Sequence, residues 1–252
     1  RLKAWREASY QTPKAESFNV SKDGDKSIVK VTYRFPQVDA QWEITYKVFA
    51  NGIIKVDNRF VAEGTETPMI PRVGLRMQLS EILNDLTYYG RGPEENYRDR
   101  RTSQFIGEYT TPIKDLYEPY IRPQENEHRT DIYWCALTTK QKAGLLFIAD
   151  RTFELNASNY LLGSLDSGET INNGAPRTNE TNHRHLTDPQ PVKQVDMFID
   201  YRMMGVGGDN SWGAIAHEPY LIRPGVENTI EYGFSIVPFD KKADYKNLIY
   251  QY

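Results

Sequence analysis

Residues 27–60 read SIVKVTYRFPQVDAQWEITYKVFANGIIKVDNRF, and this stretch decides the fold. Apolar and polar side chains alternate in three segments of it, Ser27–Phe35, Gln41–Phe49 and Ile54–Phe60. Alternation with a period of two indicates half-buried β-strands. The pair Asn51-Gly52, between the second and third segments, is the strongest short signal for a hairpin turn. The stretch therefore predicts a three-stranded antiparallel meander.

Further short segments extend the same pattern along the chain. The predicted strands are Val73–Leu79, Tyr133–Leu137, Leu145–Ala149, Phe153–Asn159, Val195–Met203 and Thr229–Val237. No segment keeps an apolar period of 3.6 for ten or more residues, and the tail Lys241–Tyr252 favours one or two helical turns. We therefore expect an all-β fold, a sandwich or barrel of antiparallel strands.

Two stretches do not have the pattern of strands. Tyr88–Pro123 is rich in Gly, Pro, Tyr and Arg, and we expect it to be irregular. Gly163–Asn182 has almost no apolar residue, and we expect residues 163–182 to form a mobile loop insert. Since no internal repeat or clear linker is present, a single domain over residues 1–252 is the simplest expectation.

The composition excludes several classes of protein. With 39% apolar and 26% charged residues in 252, the chain is expected to be globular rather than disordered. The net charge of −3 offers no surplus for neutralising the phosphates of a nucleic acid. No apolar run reaches the roughly 18 residues that a membrane span needs. The single cysteine, Cys135, excludes an internal disulfide and any zinc site built from cysteines.

Two histidines form the best candidate for a metal pair. His183 and His185 stand two residues apart, so on a strand they share a face and with a carboxylate could hold zinc. The alternative is that both imidazoles make ordinary hydrogen bonds. The lack of a recognisable third ligand favours this alternative, and no metal site is expected in this chain.

Carboxylates crowd the stretch that is expected to be irregular. A glycosidase needs two of them, one holding a proton and the other charged. The candidates are Glu94, Glu95, Asp99, Glu118, Glu125 and Glu127, and they stand among Arg91, Arg98, Arg100, Arg101, Arg122 and Arg129. Guanidinium groups lower the pKa of carboxyl groups, so we expect ion pairs rather than a catalytic acid. Cys135 lies beside Trp134 in an apolar strand and is expected in the core rather than as a nucleophile.

The run Gly205–Gly213, GVGGDNSWG, is the most informative candidate for binding. No helix with a lysine follows it, so it is not a phosphate loop. Its glycines permit a tight loop that carries Trp212 at the tip, beside the hydrogen-bonding side chains of Asp209, Asn210 and Ser211. Two interpretations stay open on this evidence. Trp212 stacks on the apolar face of a pyranose or another flat partner, or it folds back onto the sheet as a plug.

Six motifs resemble the C-terminal domain of the large bacterial β-galactosidases of glycoside hydrolase family 2. They are Pro71–Leu75 (PRVGL), Tyr89–Arg100 (YGRGPEENYRDR), Tyr117–Tyr120 (YEPY), Pro123–Asn126 (PQEN), His183–Leu186 (HRHL) and Gly205–Trp212 (GVGGDNSW). The similarity runs from about Trp5 to near Pro238. It implies a galactose-mutarotase-like supersandwich of antiparallel sheets, which agrees with the all-β expectation.

The resemblance also implies a role. In the family the catalytic glutamates lie in a separate (β/α)₈ barrel, so none is expected here. The parent enzyme would hydrolyse terminal β-D-galactosides with retention of configuration. Trp212 would stack on the sugar, with Asp209, Asn210 and Ser211 beside it. The HRHL and YGRGP runs would be scaffold and interdomain surface.

Further expectations concern partners and cofactors. The remaining domains of a homo-oligomeric parent would be the partners of this chain, with no nucleic acid or membrane among them. The Mg²⁺ and Na⁺ ions that the family uses would bind outside this domain, which would hold no cofactor. The parent is expected in the bacterial cytoplasm or periplasm.

The sequence departs from the family pattern at two places. Several strands that usually begin the family domain are missing from this chain, which would leave a sheet edge unpaired. The insert at residues 163–182 is longer than expected for the family, and it would either reshape the sugar cleft or be mobile.

Two other functions are compatible with the sequence. An aldose 1-epimerase shares the expected fold and needs a general acid and base, for which His183, His185 and Glu218 are the candidates. A stand-alone carbohydrate-binding module would need measurable affinity in the isolated chain. A lone tryptophan in an incomplete cleft should bind sugar only at millimolar concentrations or more weakly.

Overall fold

The computed structural model describes residues 2–10, 13–62, 69–121, 125–166, 189–210, 212–224 and 229–251. These residues form three short helices, α1 (Lys3–Tyr10), α2 (Leu162–Asp166) and α3 (Tyr245–Leu248). They also form eleven strands, β1 (Ala15–Asp23), β2 (Lys26–Phe35), β3 (Ala40–Phe49), β4 (Ile54–Ala62), β5 (Arg72–Ser80), β6 (Asp85–Gly92), β7 (Phe105–Pro112), β8 (Arg129–Thr138), β9 (Gly144–Ser158), β10 (Gln194–Met203) and β11 (Thr229–Phe239). The all-β prediction is confirmed.

The described strands pair antiparallel in one continuous ladder. Its order is β1-β2-β3-β4-β11-β9-β8-β6-β7, and β10 adds a branch by pairing with both β9 and β5. β11 lies between β4 and β9, so it joins the N-terminal meander to the rest of the sheet. β1 and β7 are the two ends of the ladder.

The predicted meander is present with the predicted turn. β2 pairs with β3 from Lys26–Phe49 to Phe35–Ala40, and β3 pairs with β4 across the hairpin. Gly52 takes the left-handed φ of 86° that this turn requires, and the Asn51 side chain accepts a hydrogen bond from the Ile53 N–H at 3.2 Å. The alternation of residues 27–60 therefore sets the register that the structure shows.

Apolar side chains form three clusters around the sheet. The largest draws its buried side chains from β3, β4, β6 and β8–β11 and includes the fully buried Phe147, Phe153 and Phe234. The second packs α1 against the meander through Trp5 and Phe60. The third lies on the outer face and is covered by α3, whose Tyr245 contacts Trp134 and Phe239. The short helix in the tail confirms the prediction of a helical turn there.

The prediction that Tyr88–Pro123 is irregular is wrong for two of its parts. β6 includes Tyr88–Gly92, and β7 (Phe105–Pro112) pairs with it along its whole length. The glycines that suggested a loop allow close packing instead: a Cβ at Gly90 would stand 2.4 Å from Ile132 Cδ1 and 2.9 Å from Ile132 Cα. Glycine therefore marks contact between strands here rather than a break in a strand.

Other differences concern the limits of elements. The two segments predicted as Leu145–Ala149 and Phe153–Asn159 are one strand, β9, whose polar residues 150–152 are largely exposed without breaking it. β1 and α1 were not predicted. Of the insert at 163–182, residues 163–166 belong to α2, and the rest lies outside the described residues, as does the His183-Arg184-His185 run.

Candidate functional site

Trp212 is held on the surface by the loop that follows β10. Its side chain is 94% exposed, so it does not fold back onto the sheet as a plug. The base of the loop is fixed by backbone hydrogen bonds from Met204 N–H to Pro71 O and from Gly205 N–H to Tyr220 O, at 2.9 and 2.8 Å. A large aromatic ring that is presented to solvent by an anchored loop is suited to stacking on a flat partner.

Asp99 anchors the glycine-rich part of this loop. Its carboxylate accepts hydrogen bonds from Val206 N–H at 3.2 Å and from Gly207 N–H at 2.7 Å. The approach is so close that a Cβ at Gly205 would stand 2.7 Å from the Asp99 carboxylate. The glycines of the motif therefore serve to let the backbone reach this carboxylate.

The tip of the loop has its own hydrogen bonds. Asn210 Oδ1 accepts a hydrogen bond from Trp212 N–H at 2.8 Å, and His217 Nε2 lies 2.8 Å from Asp209 Oδ1. Gly213, directly after the tryptophan, has a left-handed φ of 93°. Asp209 and Asn210 thus shape the loop beside Trp212. Ser211 lies outside the described residues.

The motif Tyr89–Arg100 forms the platform that carries Asp99. At its centre Asn96 is completely buried, donating to Arg91 O and Glu94 O and accepting from the N–H and Oγ1–H of Thr130. Tyr97 is also buried and stacks on His128 with 5.3 Å between ring centroids. The fully bonded asparagine and the stacked ring hold the backbone of this motif in place.

Glu95 is the hub of a second set of contacts in this platform. It forms an ion pair with Arg100 at 2.6 Å, accepts a hydrogen bond from Glu127 N–H at 2.8 Å and accepts another from the Tyr120 hydroxyl. The expectation of ion pairs is therefore confirmed for Glu95. Glu125 also forms an ion pair, but its partner is Arg72 at 3.3 Å, which lies outside the predicted stretch.

The expectation of a lowered pKa is wrong for Glu127. Its side chain is buried, and loss of hydration raises the pKa of this carboxyl to about 8, although a hydrogen bond with Ser158 and the charge of Arg129 oppose the shift. The prediction paired the Glu127 carboxylate with a nearby guanidinium. Arg129 instead donates a hydrogen bond to the backbone oxygen of Glu127 at 2.8 Å. Proximity in sequence did not produce an ion pair between these side chains.

A buried polar cluster lies behind the platform, and sequence analysis did not identify it. His128 lies between Asn156 and Glu154, with Nδ1–Oδ1 and Nε2–Oε2 distances of 2.7 and 3.0 Å. Arg72 stands 3.2 Å from Asp200, which is completely buried; burial raises the pKa of this aspartate to about 7, although Arg72 opposes the shift. The sequence contained one signal of this cluster. Asp200 lies within a predicted apolar strand, where a carboxylate is unusual.

The candidates for other chemistry are placed as follows. Cys135 is completely buried, which raises the pKa of its thiol, so its prediction as a core residue is confirmed. Glu218 makes a two-pronged ion pair with Arg223 at 2.6 and 2.7 Å, and this partner lowers its pKa. Glu218 is therefore a charged carboxylate that already has a partner. His183 and His185 lie outside the described residues.

The described ranges offer no fit for a resident metal ion. No group of three or more His, Cys, Asp or Glu side chains in them is arranged to hold one. Among the helices of the same ranges, none is long and apolar enough to span a bilayer.

A cleft of about 1040 Å³ opens beside the tryptophan loop. One wall is formed by the loop itself, residues 205–207 and 214–216, and another by Tyr97, Arg100 and Tyr120 of the platform region. Its floor is aromatic, with Trp42 of β3 and Phe198 of β10 among the lining side chains. Loop residues on both sides of the tip line this cleft, while the exposed Trp212 at the tip is not among its lining residues.

Two β-galactosidases are among the known proteins that resemble this chain. A β-galactosidase of Priestia megaterium is 30% identical over 222 residues, which are 88% of this chain and 20% of that protein. A β-galactosidase of Streptococcus thermophilus is 30% identical over 214 residues, 81% of this chain and 19% of that protein. The chain thus spans about a fifth of the length of these curated relatives.

Solved structures with similar folds are more distant. An α-galactosidase of glycoside hydrolase family 36 from Geobacillus stearothermophilus, in complex with stachyose, matches 90% of this chain and 26% of its own, with 9% identity and a TM-score of 0.42. A GalM/aldose epimerase homologue from C. elegans matches 88% of this chain and 68% of its own, with 11% identity and a TM-score of 0.41. These similarities are too low to transfer a function.

The family is shown by the match to a family model. The model described as beta galactosidase small chain matches residues 1–236, which is nearly the whole sequence. The motifs that form the loop and its platform, Gly205–Trp212 and Tyr89–Arg100, both lie within the matched range. The chain belongs to the β-galactosidase small chain family.

Proposed function

We propose that the chain is a non-catalytic domain of a β-galactosidase that hydrolyses terminal β-D-galactosides. In this proposal Trp212 stacks on the bound sugar at the edge of an active site whose catalytic glutamates lie in another domain. The observation that carries the proposal is the 94% exposed Trp212 on a loop that Asp99 holds in place. An exposed ring on a rigid loop loses little conformational entropy on binding, so it suits the positioning of substrate.

The carboxylates near the tryptophan loop already have hydrogen-bonding partners, which supports a non-catalytic role for this domain. Asp99 already accepts two backbone hydrogen bonds, and Asp209 lies at hydrogen-bond distance from His217. A retaining glycosidase needs two carboxyl groups about 5–5.5 Å apart, one of which holds a proton for the leaving group. We assign that pair, and with it the retaining mechanism, to the other domains of the parent enzyme. The Mg²⁺ and Na⁺ ions would bind in those domains too. The parent enzyme as a whole would be a homo-oligomer.

The proposal is tested by replacing Trp212 in the full-length parent enzyme. Trp212→Ala should raise KM for a β-galactoside about tenfold, which corresponds to about 1.4 kcal/mol of lost binding free energy. Trp212→Phe keeps an aromatic ring, so its KM should lie between the values of the wild type and of Trp212→Ala. Asp99→Ala removes the acceptor of the loop and should raise KM in the same direction.

Tyr250→Ala is the matched control, because Tyr250 is an aromatic residue that is 89% exposed in the tail. This variant should keep the kinetic constants of the wild type. If Trp212→Ala leaves both KM and kcat unchanged, the stacking role is refuted.

A further inference from the structure

Five consecutive backbone N–H groups at the base of the tryptophan loop each donate to a fixed acceptor. The donors belong to residues 203–207. Their acceptors, in chain order, are Glu154 Oε2 at 2.7 Å, Pro71 O at 2.9 Å, Tyr220 O at 2.8 Å, Asp99 Oδ1 at 3.2 Å and Asp99 Oδ2 at 2.7 Å. Because these acceptors come from four separate parts of the chain, they fix the direction in which the loop leaves β10.

Glu154 supplies the first of these acceptors, at the point where backbone pairing with β9 ends. β10 pairs with β9 from Asp196–Ser158 to Asp200–Glu154. Further along β10, the Met203 N–H reaches β9 through the Glu154 side chain instead of the backbone. Both of these residues are buried. Removing the carboxylate would therefore leave an N–H away from water without an acceptor, which costs more than losing a hydrogen bond that water can replace.

His128 holds the Glu154 carboxylate in this position. Its Nε2 lies 3.0 Å from Glu154 Oε2, the oxygen that accepts from Met203, and its Nδ1 lies 2.7 Å from Asn156 Oδ1. The Asn156 amide is oriented by its Nδ2, which donates to Asn126 O at 2.6 Å. Both ring nitrogens thus face acceptors, so the geometry calls for a proton on each. Burial opposes the charged ring, but the hydrogen bond with Glu154 and its charge raise the pKa of His128 above the ordinary value.

We propose that Glu154 is a positioning residue for Trp212, acting through the Met203 N–H, and that His128 keeps its carboxylate in place. Neither Glu154 nor His128 needs to touch the sugar. A displaced loop base moves the ring at the tip away from the geometry in which it stacks, so the effect is on the positioning of substrate. The inference rests on the proposed function, and it adds a buried control of that site to the contact with Asp99.

The test uses the full-length parent enzyme with two substitutions at residue 154. Glu154→Met fills a similar volume without an acceptor, whereas Glu154→Gln conserves the shape and keeps an oxygen for the Met203 N–H. Two properties of each variant are measured. Mass spectrometry follows amide hydrogen exchange in the peptide that contains residues 203–207, without sugar, and steady-state kinetics give KM and kcat for a β-galactoside.

We expect the amides of residues 203–207 to exchange about tenfold faster in Glu154→Met than in the wild type, because the loop base opens more often. Its KM should rise about threefold to tenfold with kcat nearly unchanged, since a displaced ring cannot lose more binding than an absent one. In Glu154→Gln both effects should be smaller and in the same direction, because an amide oxygen is a weaker acceptor than a carboxylate. Adding Glu154→Met to Trp212→Ala should leave KM at the value of Trp212→Ala alone, because both changes act through one contact.

Thr87→Val is the matched control. Thr87 is buried in β6, and its hydroxyl lies 3.0 Å from that of Thr110 in β7, so this variant also loses a buried hydrogen bond. It should leave both the exchange of residues 203–207 and KM at their wild-type values.

Wild-type exchange in the folded variants of residue 154 would overturn the proposal. Faster exchange with a wild-type KM would also overturn it, in an enzyme whose KM responds to Trp212→Ala, and so would a rise in KM that Thr87→Val reproduces. If Trp212→Ala itself leaves KM unchanged, the proposed function fails, and the exchange measurement still decides whether Glu154 holds the loop. The two proposals can therefore fail separately.

Discussion

Glu127 shows at the scale of a single residue how burial can outweigh neighbouring charge. Its carboxyl is buried, and loss of hydration raises its pKa to about 8 despite the hydrogen bond with Ser158 and the positive charge of Arg129. An unfolded glutamate has a pKa of about 4.3. Between these two values the native state holds a proton that the unfolded state has released.

This difference predicts a pH dependence of stability. Because the native state binds the extra proton, the free energy of unfolding falls as pH rises from about 4.3 to about 8, by up to about 1.4 kcal/mol per pH unit for this group. Glu127→Gln has no proton to release and should remove the contribution of this group, while the contribution of the buried Asp200, whose pKa is raised to about 7, remains. The measurement is urea unfolding of the wild type and the variant at several pH values between about 5 and 8.

Glu16→Gln is the control, since Glu16 lies in the fully exposed strand β1. Its unfolding free energies should follow those of the wild type across the range. If the Glu127→Gln variant also follows the wild-type curve, then burial does not hold a proton on Glu127 in the native state.

The sequence predicted part of the candidate site at residue scale. Trp212 was identified because a tryptophan among four glycines is a local signal. Asp99 was named only as a member of an acidic and basic stretch, since the groups that it binds lie 107 and 108 residues further along the chain. Glu127 was misinterpreted because the prediction counted nearby arginines and could not take account of burial.

At the scale of elements, β6 depends on glycines that a side chain cannot replace. Gly90 and Gly107 lie directly opposite each other in β6 and β7. A Cβ at Gly90 would collide with the Ile132 side chain and approach its Cα at 2.9 Å. A Cβ at Gly107 would meet only the end of the Tyr109 side chain, with its hydroxyl at 2.9 Å.

The pair therefore predicts unequal effects of the same substitution. Gly90→Ala should lower the free energy of unfolding by about 2 kcal/mol, because a backbone shift is needed to admit the methyl group. Gly107→Ala is the control. It should lower the free energy of unfolding by much less, since the ring of Tyr109 can move. Equal losses in urea unfolding would contradict the explanation from close strand packing.

The same contrast explains how much of the fold the sequence could predict. β2, β3 and β4 were predicted almost to the residue because one face packs and the other meets water, which produces alternation. β6 was missed because it is buried between β7 and β8 and contains Gly90 and Gly92, which are typical of loops. β1 was missed although its residues alternate, since it contains only two strongly apolar side chains at its centre, Phe18 and Val20.

At the scale of the whole molecule, the 252 residues form one wall of the proposed active site. The chain covers about a fifth of its relatives, and the cleft beside Trp212 is open. We therefore expect the isolated chain to release no galactose from lactose and to leave the anomerisation of fresh α-galactose unchanged. A proton NMR time course with both sugars measures the two reactions together.

Each possible signal has a distinct meaning. Release of galactose would place a complete hydrolytic site within these residues and would contradict the accessory role. Faster exchange of anomers without hydrolysis would instead support the epimerase alternative. The full-length parent enzyme, assayed in the same buffer, is the positive control for hydrolysis.

The place of β11 in the sheet has a consequence for synthesis on the ribosome. β11 pairs with β4 on one side and β9 on the other, yet among the eleven described strands it is the last to be made. Until residues 229–239 have left the exit tunnel, the meander and the β9 part of the sheet have no shared neighbour in the described ladder. The nascent domain must therefore wait with two unfinished edges, and closing them when β11 emerges is the step at which a chaperone would have most to protect.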